Sequence, residues 1–207
     1  DASFGYAKTC SVALADKDNP EYRVAERIAI HILNRWESLP DETKPIWSDI
    51  AESVGYYPYI YREKELRSES LSDEMRLNYH KSRFLPNVYM HSKQKELSDL
   101  IFSGSNVVVS APTSFGKSLL IEEIVASGQF LNIVVIQPTL ALLDETRRKL
   151  RKYKGRYKII VRTSQRPAED RGNLFLLTAE RVFEYEDMPH IDFLITDEFY
   201  QLSGKRN

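Results

Sequence analysis

The chain has 207 residues, 42% of them hydrophobic, which is enough to bury the core of one large domain or two small ones. Its 29 Lys and Arg nearly balance 30 Asp and Glu, so the net charge of −1 excludes a general attraction to polyanions. The single cysteine, Cys10, excludes an internal disulfide and a cysteine-based zinc site, and it suits a reducing compartment such as the cytoplasm. No apolar run approaches the ~20 residues of a membrane span, so we expect neither a membrane anchor nor secretion.

The N-terminal part of the chain is predicted to be helical. Apolar residues recur at i, i+3, i+4 and i+7 spacing over residues 25–36, which indicates an amphipathic helix. The same spacing over residues 46–54 predicts a second helix, with Gly55 as a left-handed C-cap. A third helix is predicted over residues 70–83. We therefore predict a helical accessory region over residues 1–85, which would contact a partner or regulate the rest of the protein.

From residue 106 onward, short apolar runs alternate with stretches of helical spacing. The runs are continuous rather than alternating, which is typical of strands buried on both faces of a parallel sheet. The predicted strands are NVVVS, NIVVIQ, KIIVR, LFLLT and FLIT, at 106–110, 132–137, 158–162, 174–178 and 193–196. Helices are predicted between them, at 118–127, 140–153 and 179–186. This alternation predicts a doubly wound α/β fold.

One stretch carries part of a phosphate-binding pattern, VVVSAPTSFGKSLL at residues 107–120. In the P-loop pattern G-x-x-x-x-G-K-[ST], backbone N–H groups surround the phosphates, the lysine reaches their terminal oxygens and the hydroxyl binds Mg²⁺. Gly116, Lys117 and Ser118 fill the last three positions, whereas Ala111 replaces the first glycine. Because such a match also arises at ordinary solvated helix N-termini, it requires support from a second feature.

An acidic pair supplies that second feature. Asp197 and Glu198 directly follow the predicted strand at 193–196. A P-loop enzyme needs one acid there to hold Mg²⁺ and another to orient or deprotonate the attacking water. A lone Asp-Glu pair is usually a surface turn, but a pair that ends a buried strand downstream of a P-loop favours nucleotide hydrolysis. We therefore predict that Lys117, Asp197 and Glu198 are catalytic and that Ser118 and Asp197 hold Mg²⁺.

With both features present, the chain resembles the first RecA-like lobe of superfamily 2 (DExD/H-box) helicases over about residues 85–207. APTSFGKS resembles motif I, QPTLALLDE motif Ia, LLTAERV motif Ib, and DEFY motif II without its second acid or histidine. The resemblance implies an incomplete RecA-like lobe over residues 86–207, in which helices flank a parallel P-loop sheet. The loop and DEFY together also resemble bacterial helicases of anti-phage loci, Hachiman-type ones among them.

The same resemblance assigns residues to ligands. It implies an ATP site built from a glutamine at the adenine edge and from the loop around the phosphates: Gln94, Pro112, Thr113, Ser114, Phe115, Gly116, Lys117 and Ser118. It further implies that Thr139, Thr178 and Arg181 contact DNA or RNA, as a single strand. Threonines at helix starts also act as simple N-caps, so both roles stay open for Thr139 and Thr178.

A basic run supports a polyanionic partner. Residues 147–166 contain ten Lys or Arg and no acid. Such a run would neutralise phosphates independently of sequence and would make binding sensitive to salt. For any single residue in it, a solvated helix face is the commoner explanation.

The resemblance implies an ATP-dependent helicase or translocase that hydrolyses ATP between two RecA-like lobes. The second lobe would supply arginine fingers, and this sequence ends nine residues after Glu198, so we expect the chain to bind ATP but hardly to hydrolyse it. An alternative is a nucleotide-sensing protein-interaction module with a degenerate P-loop and a protein partner on its N-terminal helices. A third possibility, a P-loop ATPase unrelated to helicases, predicts that Thr139, Thr178 and Arg181 leave polynucleotide affinity unchanged.

Overall fold

The computed structural model describes residues 2–62, 71–111 and 115–198. The chain forms two compact units, the first made of residues 1–82 and 86–110 and the second of residues 83–85 and 111–207. The division of function between residues 1–85 and 86–207 stays a prediction. In the described residues, no helix combines the length and the apolar character needed to cross a bilayer.

The first unit is helical, which confirms the prediction for the N-terminal region. Its helices are α1 (Ala2–Leu14), α2 (Tyr22–Leu33), α3 (Lys44–Val54), α4 (Tyr57–Arg62), α5 (Leu71–His80) and α6 (Ser92–Phe102). Gly55 has a φ of +78° and ends α3 as the predicted left-handed C-cap, with its N–H bonded to the last turn. The sequence did not predict α1, which buries the small residues Ala7, Cys10 and Ala13 and therefore lacks a stripe of large apolar side chains.

The core of the first unit lies between α1, α2 and α3. Trp47 of α3 is fully buried there, and its indole N–H donates to the Ser3 hydroxyl of α1 at 3.2 Å. Ala29 of α2 and Ala51 of α3 are also fully buried, and small side chains at these positions let the helices approach closely. Trp36, which is 3% exposed, belongs to the same core, so large aromatic and small alanine side chains fill it together.

The second unit is a parallel α/β layer, which confirms the predicted RecA-like class. Its strands β1 (Asn132–Ile136), β2 (Tyr157–Ile160), β3 (Gly172–Leu177) and β4 (Phe193–Thr196) lie in the order β2-β3-β1-β4, and every described pairing is parallel. Its helices are α7 (Lys117–Ser127), α8 (Leu140–Leu150) and α9 (Ala179–Phe183). Every residue of β3 is buried, and Phe175 of β3 packs edge-on against Tyr185 at 5.4 Å between centroids. Buried apolar side chains on several strands therefore hold the sheet together.

The predicted strand at residues 106–110 does not form. These residues have no strand structure in the described part of the chain, and Val108 is 85% exposed. The apolar run has high strand propensity, but a strand also needs a neighbour for its N–H and C=O groups, and propensity alone cannot supply one. Burial on both faces is likewise wrong for β4, where Leu194 is 59% exposed.

Polar groups set the register at the N-terminal ends of the strands. The Asp192 carboxylate accepts hydrogen bonds from the N–H groups of Leu131 and Asn132, at 2.9 and 2.8 Å. The bond from Asn132 N–H is the main reason why the pKa of Asp192 lies below its ordinary value. The Asn173 amide bridges to the Asn132 side chain at 2.9 Å. These bonds align β4, β1 and β3, so their carboxyl ends emerge at one edge.

Candidate nucleotide site

Three predicted motifs meet at the carboxyl edge of the sheet. Ile136, the last residue of β1, pairs with Leu177 of β3 and with Thr196 of β4. The residues that follow these three are Gln137, Thr178 and Asp197. Ligands of parallel α/β sheets bind beyond the carboxyl ends of the strands, so this edge is the place where a nucleotide or a nucleic acid would lie.

The acidic residue Asp197 is held in place from two sides. Its backbone N–H donates to Ile136 O at 2.9 Å, which continues the ladder by one residue beyond β4. Its carboxylate oxygen Oδ2 accepts a hydrogen bond from Gln137 Nε2 at 3.2 Å. Gln137 is 3% exposed, and its Oε1 accepts from the Thr146 hydroxyl at 2.8 Å. Since both ends of the amide are engaged, the carboxylate of Asp197 faces a donor of fixed orientation.

Glu198 adopts an unusual backbone conformation. Its φ is +51°, in the left-handed region that few residues other than glycine occupy. Such a conformation costs about 1 kcal/mol or more and often occurs at functional sites. The chain therefore turns sharply immediately after Asp197, so that two consecutive carboxylates lie at a bend rather than along a strand.

The P-loop residues that the structure describes surround the start of α7. Gly116 lies just before α7 with a φ of +82°, a conformation that favours glycine. Lys117 begins the helix, and its Nζ donates to Ala111 O at 3.3 Å, so the ammonium reaches back to the first position of the loop. Phe115 is half-buried. The predicted contacts of Pro112, Thr113 and Ser114 lie outside the described residues.

Ser118 takes part in a polar cluster between α7 and α8. Its hydroxyl accepts a hydrogen bond from Lys149 Nζ at 3.1 Å. The same ammonium lies 3.5 Å from the Glu122 carboxylate, which is also paired with Lys152 at 2.5 Å. The bond to Glu122 raises the pKa of Lys152. Lys149 therefore lies between the hydroxyl predicted to bind Mg²⁺ and a buried carboxylate one turn further along α7.

Helix α8 connects the P-loop helix to the acidic strand. Thr146 and Lys149 are three residues apart and thus on one face of α8. Thr146 contacts Gln137, the partner of Asp197, and Lys149 contacts Ser118. The structure gives Ser118 and Asp197 these separate partners rather than a direct bond. One polar face of α8 nevertheless joins both predicted Mg²⁺ ligands.

Three of the four remaining predicted site residues make local side-chain contacts. Gln94, predicted to read the adenine edge, forms a capping box with His91 at the start of α6 and is 6% exposed. Thr139 caps α8 by accepting the Leu142 N–H at 3.3 Å. Thr178 precedes α9 and makes no side-chain capping bond in the described structure. Arg181 donates to Val161 O at 3.0 Å. A role in ligand binding stays a prediction for all four.

Four cations of the basic run form ion pairs in the structure. Arg147 and Arg148 form ion pairs with Asp144 at 3.0 and 3.1 Å. Lys149 and Lys152 are paired with Glu122. The sequence could not reveal the two pairings with Glu122, because Glu122 lies on α7, an earlier helix of the chain. The run is therefore less positive at α8 than its composition suggests.

The described residues fit a magnesium nucleotide. A hydroxyl and a carboxylate, from Ser118 and Asp197, are the hard oxygen donors that Mg²⁺ prefers. The backbone amides at the start of α7 and the ammonium of Lys117 offer positive groups to phosphates at a helix N-terminus. This donor set contains no softer ligand that would favour another metal.

A P-loop-type helix start combined with an acidic residue after a parallel strand is typical of a RecA-like lobe. Comparison with known proteins matches residues 91–207 to the DEAD/DEAH box helicase family, and the chain belongs to that family. Residues 1–74 match the Anti-bacteriophage protein B N-terminal domain. These findings confirm the resemblance to helicases and to anti-phage proteins.

One curated relative is Anti-bacteriophage protein B of Escherichia coli (strain K12), with 35% identity over 207 residues. The aligned region covers 99% of this chain and 27% of the relative, so the chain spans about a quarter of that protein's length. No solved structure matches the chain.

Proposed function

We propose that this chain is the ATP-binding lobe of a nucleic-acid-dependent ATPase, a helicase or translocase that acts in defence against phage. The observation that carries the proposal is the hydrogen bond from Gln137 to Asp197 at the carboxyl edge, linked through α8 to Ser118 of the P-loop helix. Membership of the DEAD/DEAH box helicase family supports the ATPase. Similarity to Anti-bacteriophage protein B supports the defence role.

Each residue then has one task. When bound, ATP would supply the phosphoanhydride bond that is broken, and its Mg²⁺ would neutralise the negative charge on the phosphate oxygens. Lys117 and the loop amides bind the phosphates, Ser118 and Asp197 hold the ion, and Glu198 orients water and accepts its proton. Thr139, Thr178 and Arg181 contact a single strand of DNA or RNA.

We further propose that hydrolysis by this chain alone is slow. Arginine fingers supply 10³- to 10⁵-fold in related ATPases. Arg181 donates its guanidinium N–H to Val161 O, and we assign it no arginine-finger role. The helices of the first unit would recruit a protein partner.

Nucleotide binding tests the proposal directly. Titration of the chain with a fluorescent ATP analogue in Mg²⁺ should show saturable binding, and Lys117→Ala should weaken it at least about tenfold, because the ammonium meets the terminal phosphates. Lys154→Ala removes an exposed lysine and should leave affinity unchanged. Equal affinities in the two variants would contradict a P-loop role for Lys117.

Stimulation of turnover separates the ATPase from a nucleotide-sensing module. A protein that also contains the rest of the motor should hydrolyse ATP faster when single-stranded DNA or RNA is added, because nucleic acid promotes closure of the lobes. A sensing module would show no stimulation. ATP hydrolysis by this chain alone at about one turnover per second would refute its proposed inactivity.

A further inference from the structure

The helix that follows β3 carries an aromatic ring in solvent. Phe183 is the last residue of α9 and is 91% exposed. Its neighbours face the protein: Val182 packs on the core, and Tyr185 is 7% exposed against Phe175. A single exposed apolar side chain is common, but a phenylalanine this exposed, on the helix that follows the carboxyl end of β3, is a candidate for contact with a ligand.

Two hydrogen bonds hold α9 in an orientation that presents this ring. Arg181 donates to Val161 O at 3.0 Å, and the Tyr185 hydroxyl donates to Gln165 O. Arg181 lies within α9, whereas Tyr185 lies two residues beyond its last residue, Phe183. Phe183 therefore lies between two residues that are both bonded to the 161–165 segment.

The segment that anchors α9 is itself ordered and carries unpaired arginines. Gln165 Oε1 accepts the N–H groups of Val161 and Arg162, at 2.9 and 3.0 Å, which closes a turn just after β2. Exposure alternates through this turn, so that Arg162 and Arg166 face solvent while Val161 and Gln165 are half-buried. In the described part of the chain neither arginine has an ion-pair partner, unlike Arg147 and Arg148 on α8.

This turn lies at the same edge as the predicted nucleic-acid contacts. Ile160, the end of β2, pairs with Phe175 of β3, and the turn begins at the next residue, at the carboxyl edge of the sheet that also carries Thr178. We propose that Phe183 stacks on a base of single-stranded nucleic acid and that Arg162 and Arg166 contact its phosphates. The inference rests on the proposed function and adds to it a stacking contact that a duplex cannot use.

The chemistry of this surface fits a single strand. Every base has an aromatic face, so stacking on a phenylalanine is independent of sequence, and cations beside it follow the backbone. In a duplex the base faces are covered by their neighbours, and only the phosphates would be recognised. A protein partner covering Phe183 would need no free cations, which makes it the less favoured occupant.

Oligonucleotide binding by the whole chain tests the stacking contact. Fluorescence anisotropy with labelled 20-nucleotide oligo(dT), oligo(U) and a matching duplex should show that Phe183→Ala loses about 5- to 150-fold in single-strand affinity. The duplex affinity should stay unchanged. Phe4→Ala, which removes a 55% exposed phenylalanine of the first unit, is the matched control and should bind like wild type.

Salt titration tests the arginines. Arg162→Ala with Arg166→Ala should reduce the slope of log affinity against log salt by about 1.4 for a single strand, since two phosphate contacts are lost. Arg147→Ala with Arg148→Ala removes the same charge from paired residues and should leave the slope unchanged. Equal slopes in both double variants would overturn the phosphate assignment.

Tryptophan fluorescence reports stacking without reference to affinity. Phe183→Trp should be quenched by oligo(dT), whereas Phe4→Trp should not, and the native Trp36 and Trp47 are buried at 3% and 0% exposure. Absence of quenching, together with wild-type affinity in Phe183→Ala, overturns the inference.

If the chain binds magnesium-ATP but no oligonucleotide, this inference fails and the nucleotide site stands. If Lys117→Ala binds ATP normally while Phe183→Ala still loses oligonucleotide affinity, the nucleotide site fails instead.

Discussion

Gln137 Nε2 donates to Asp197 Oδ2 at 3.2 Å, so the residue directly after β1 orients the carboxylate of the residue directly after β4. The amide cannot rotate freely, because its oxygen accepts the Thr146 hydroxyl. A partner of this kind restricts a metal ligand to one rotamer before the metal arrives. Gln137 is the first residue of the QPTLALLDE stretch that resembles motif Ia, but the sequence did not predict it as a site residue.

We predict that Gln137→Ala weakens Mg²⁺-dependent nucleotide binding by about tenfold or more, the usual effect of losing a residue that supports a metal ligand. The measurement is nucleotide affinity at a series of Mg²⁺ concentrations. Gln129→Ala, which alters an exposed glutamine after α7, should match wild type. If both variants bind alike, Gln137 does not support the metal site.

Lys149 competes for a predicted Mg²⁺ ligand. Its ammonium donates to Ser118 Oγ at 3.1 Å, so it occupies one lone pair of the hydroxyl and its positive charge opposes a cation there. Lys149→Met keeps the aliphatic stem but removes the donor, so Mg²⁺-nucleotide affinity should rise by about 2- to 10-fold, the equivalent of one ordinary hydrogen bond. Glu122 keeps Lys152 as its partner, which preserves the packing of α7 on α8.

Titration with Mg²⁺ at fixed nucleotide measures this effect. Lys154→Met removes an exposed lysine and serves as the charge control. Weaker Mg²⁺ binding in Lys149→Met than in Lys154→Met would show that Lys149 supports the site rather than competing for it.

The first unit should lose stability in acid because of His80. The ring of His80 stacks on Tyr57 with 3.6 Å between centroids, and its Nδ1–H donates to Met90 O at 3.1 Å, since a carbonyl can only accept. Burial, with Lys95 as an additional cause, lowers the pKa of His80 to about 4 from an ordinary 6.5. The folded state therefore resists protonation that the unfolded state accepts.

The sign of the pH effect follows from that difference. Stability is fully present above pH 6.5 and falls as pH drops from 6.5 to about 4, because the unfolded state binds more protons in this window. Urea unfolding followed by the buried Trp36 and Trp47 measures the loss. In His80→Phe, which keeps an aromatic ring on Tyr57, the free energy of unfolding should change less with pH over the same range. A variant with the wild-type pH dependence would assign the effect to other groups.

Three glycines should respond differently to alanine. Gly55→Ala should destabilise most, because a φ of +78° is strained for alanine and the new methyl would overlap the Ser92 side chain. Gly104→Ala should cost about 1 kcal/mol, since its φ of +86° is strained but nothing lies within 4 Å. Gly5→Ala should stabilise by about 0.5–1 kcal/mol, because Gly5 is exposed inside α1 and meets no atom. Denaturant midpoints of the three variants test this order, and a Gly5 variant no more stable than wild type would contradict it.

Local patterns in the sequence were sufficient to predict much of the architecture. Continuous apolar runs predicted β1 to β4, and helical spacing predicted α2, α3, α7 and α8, because side-chain period records which faces are buried. Glycine at residue 55 predicted a helix end, since few other residues adopt that backbone. The sequence did not predict α1, because the small residues that it buries do not form a stripe of large apolar side chains.

Contacts between distant residues decided the rest. The run at 106–110 contains three consecutive valines, yet it forms no strand, because a strand requires a partner and not only a propensity. The pairing of Lys149 and Lys152 with Glu122 removed charge from a run that composition marks as basic. Sequence patterns therefore specified residue types and burial, whereas folding chose which polar groups meet: Gln137 with Asp197, Lys149 with Ser118, and no ion pair at Arg162 and Arg166 in the described chain. The physical reason is that period and propensity act over a few residues, while hydrogen bonds and ion pairs depend on distances that only the packed chain sets.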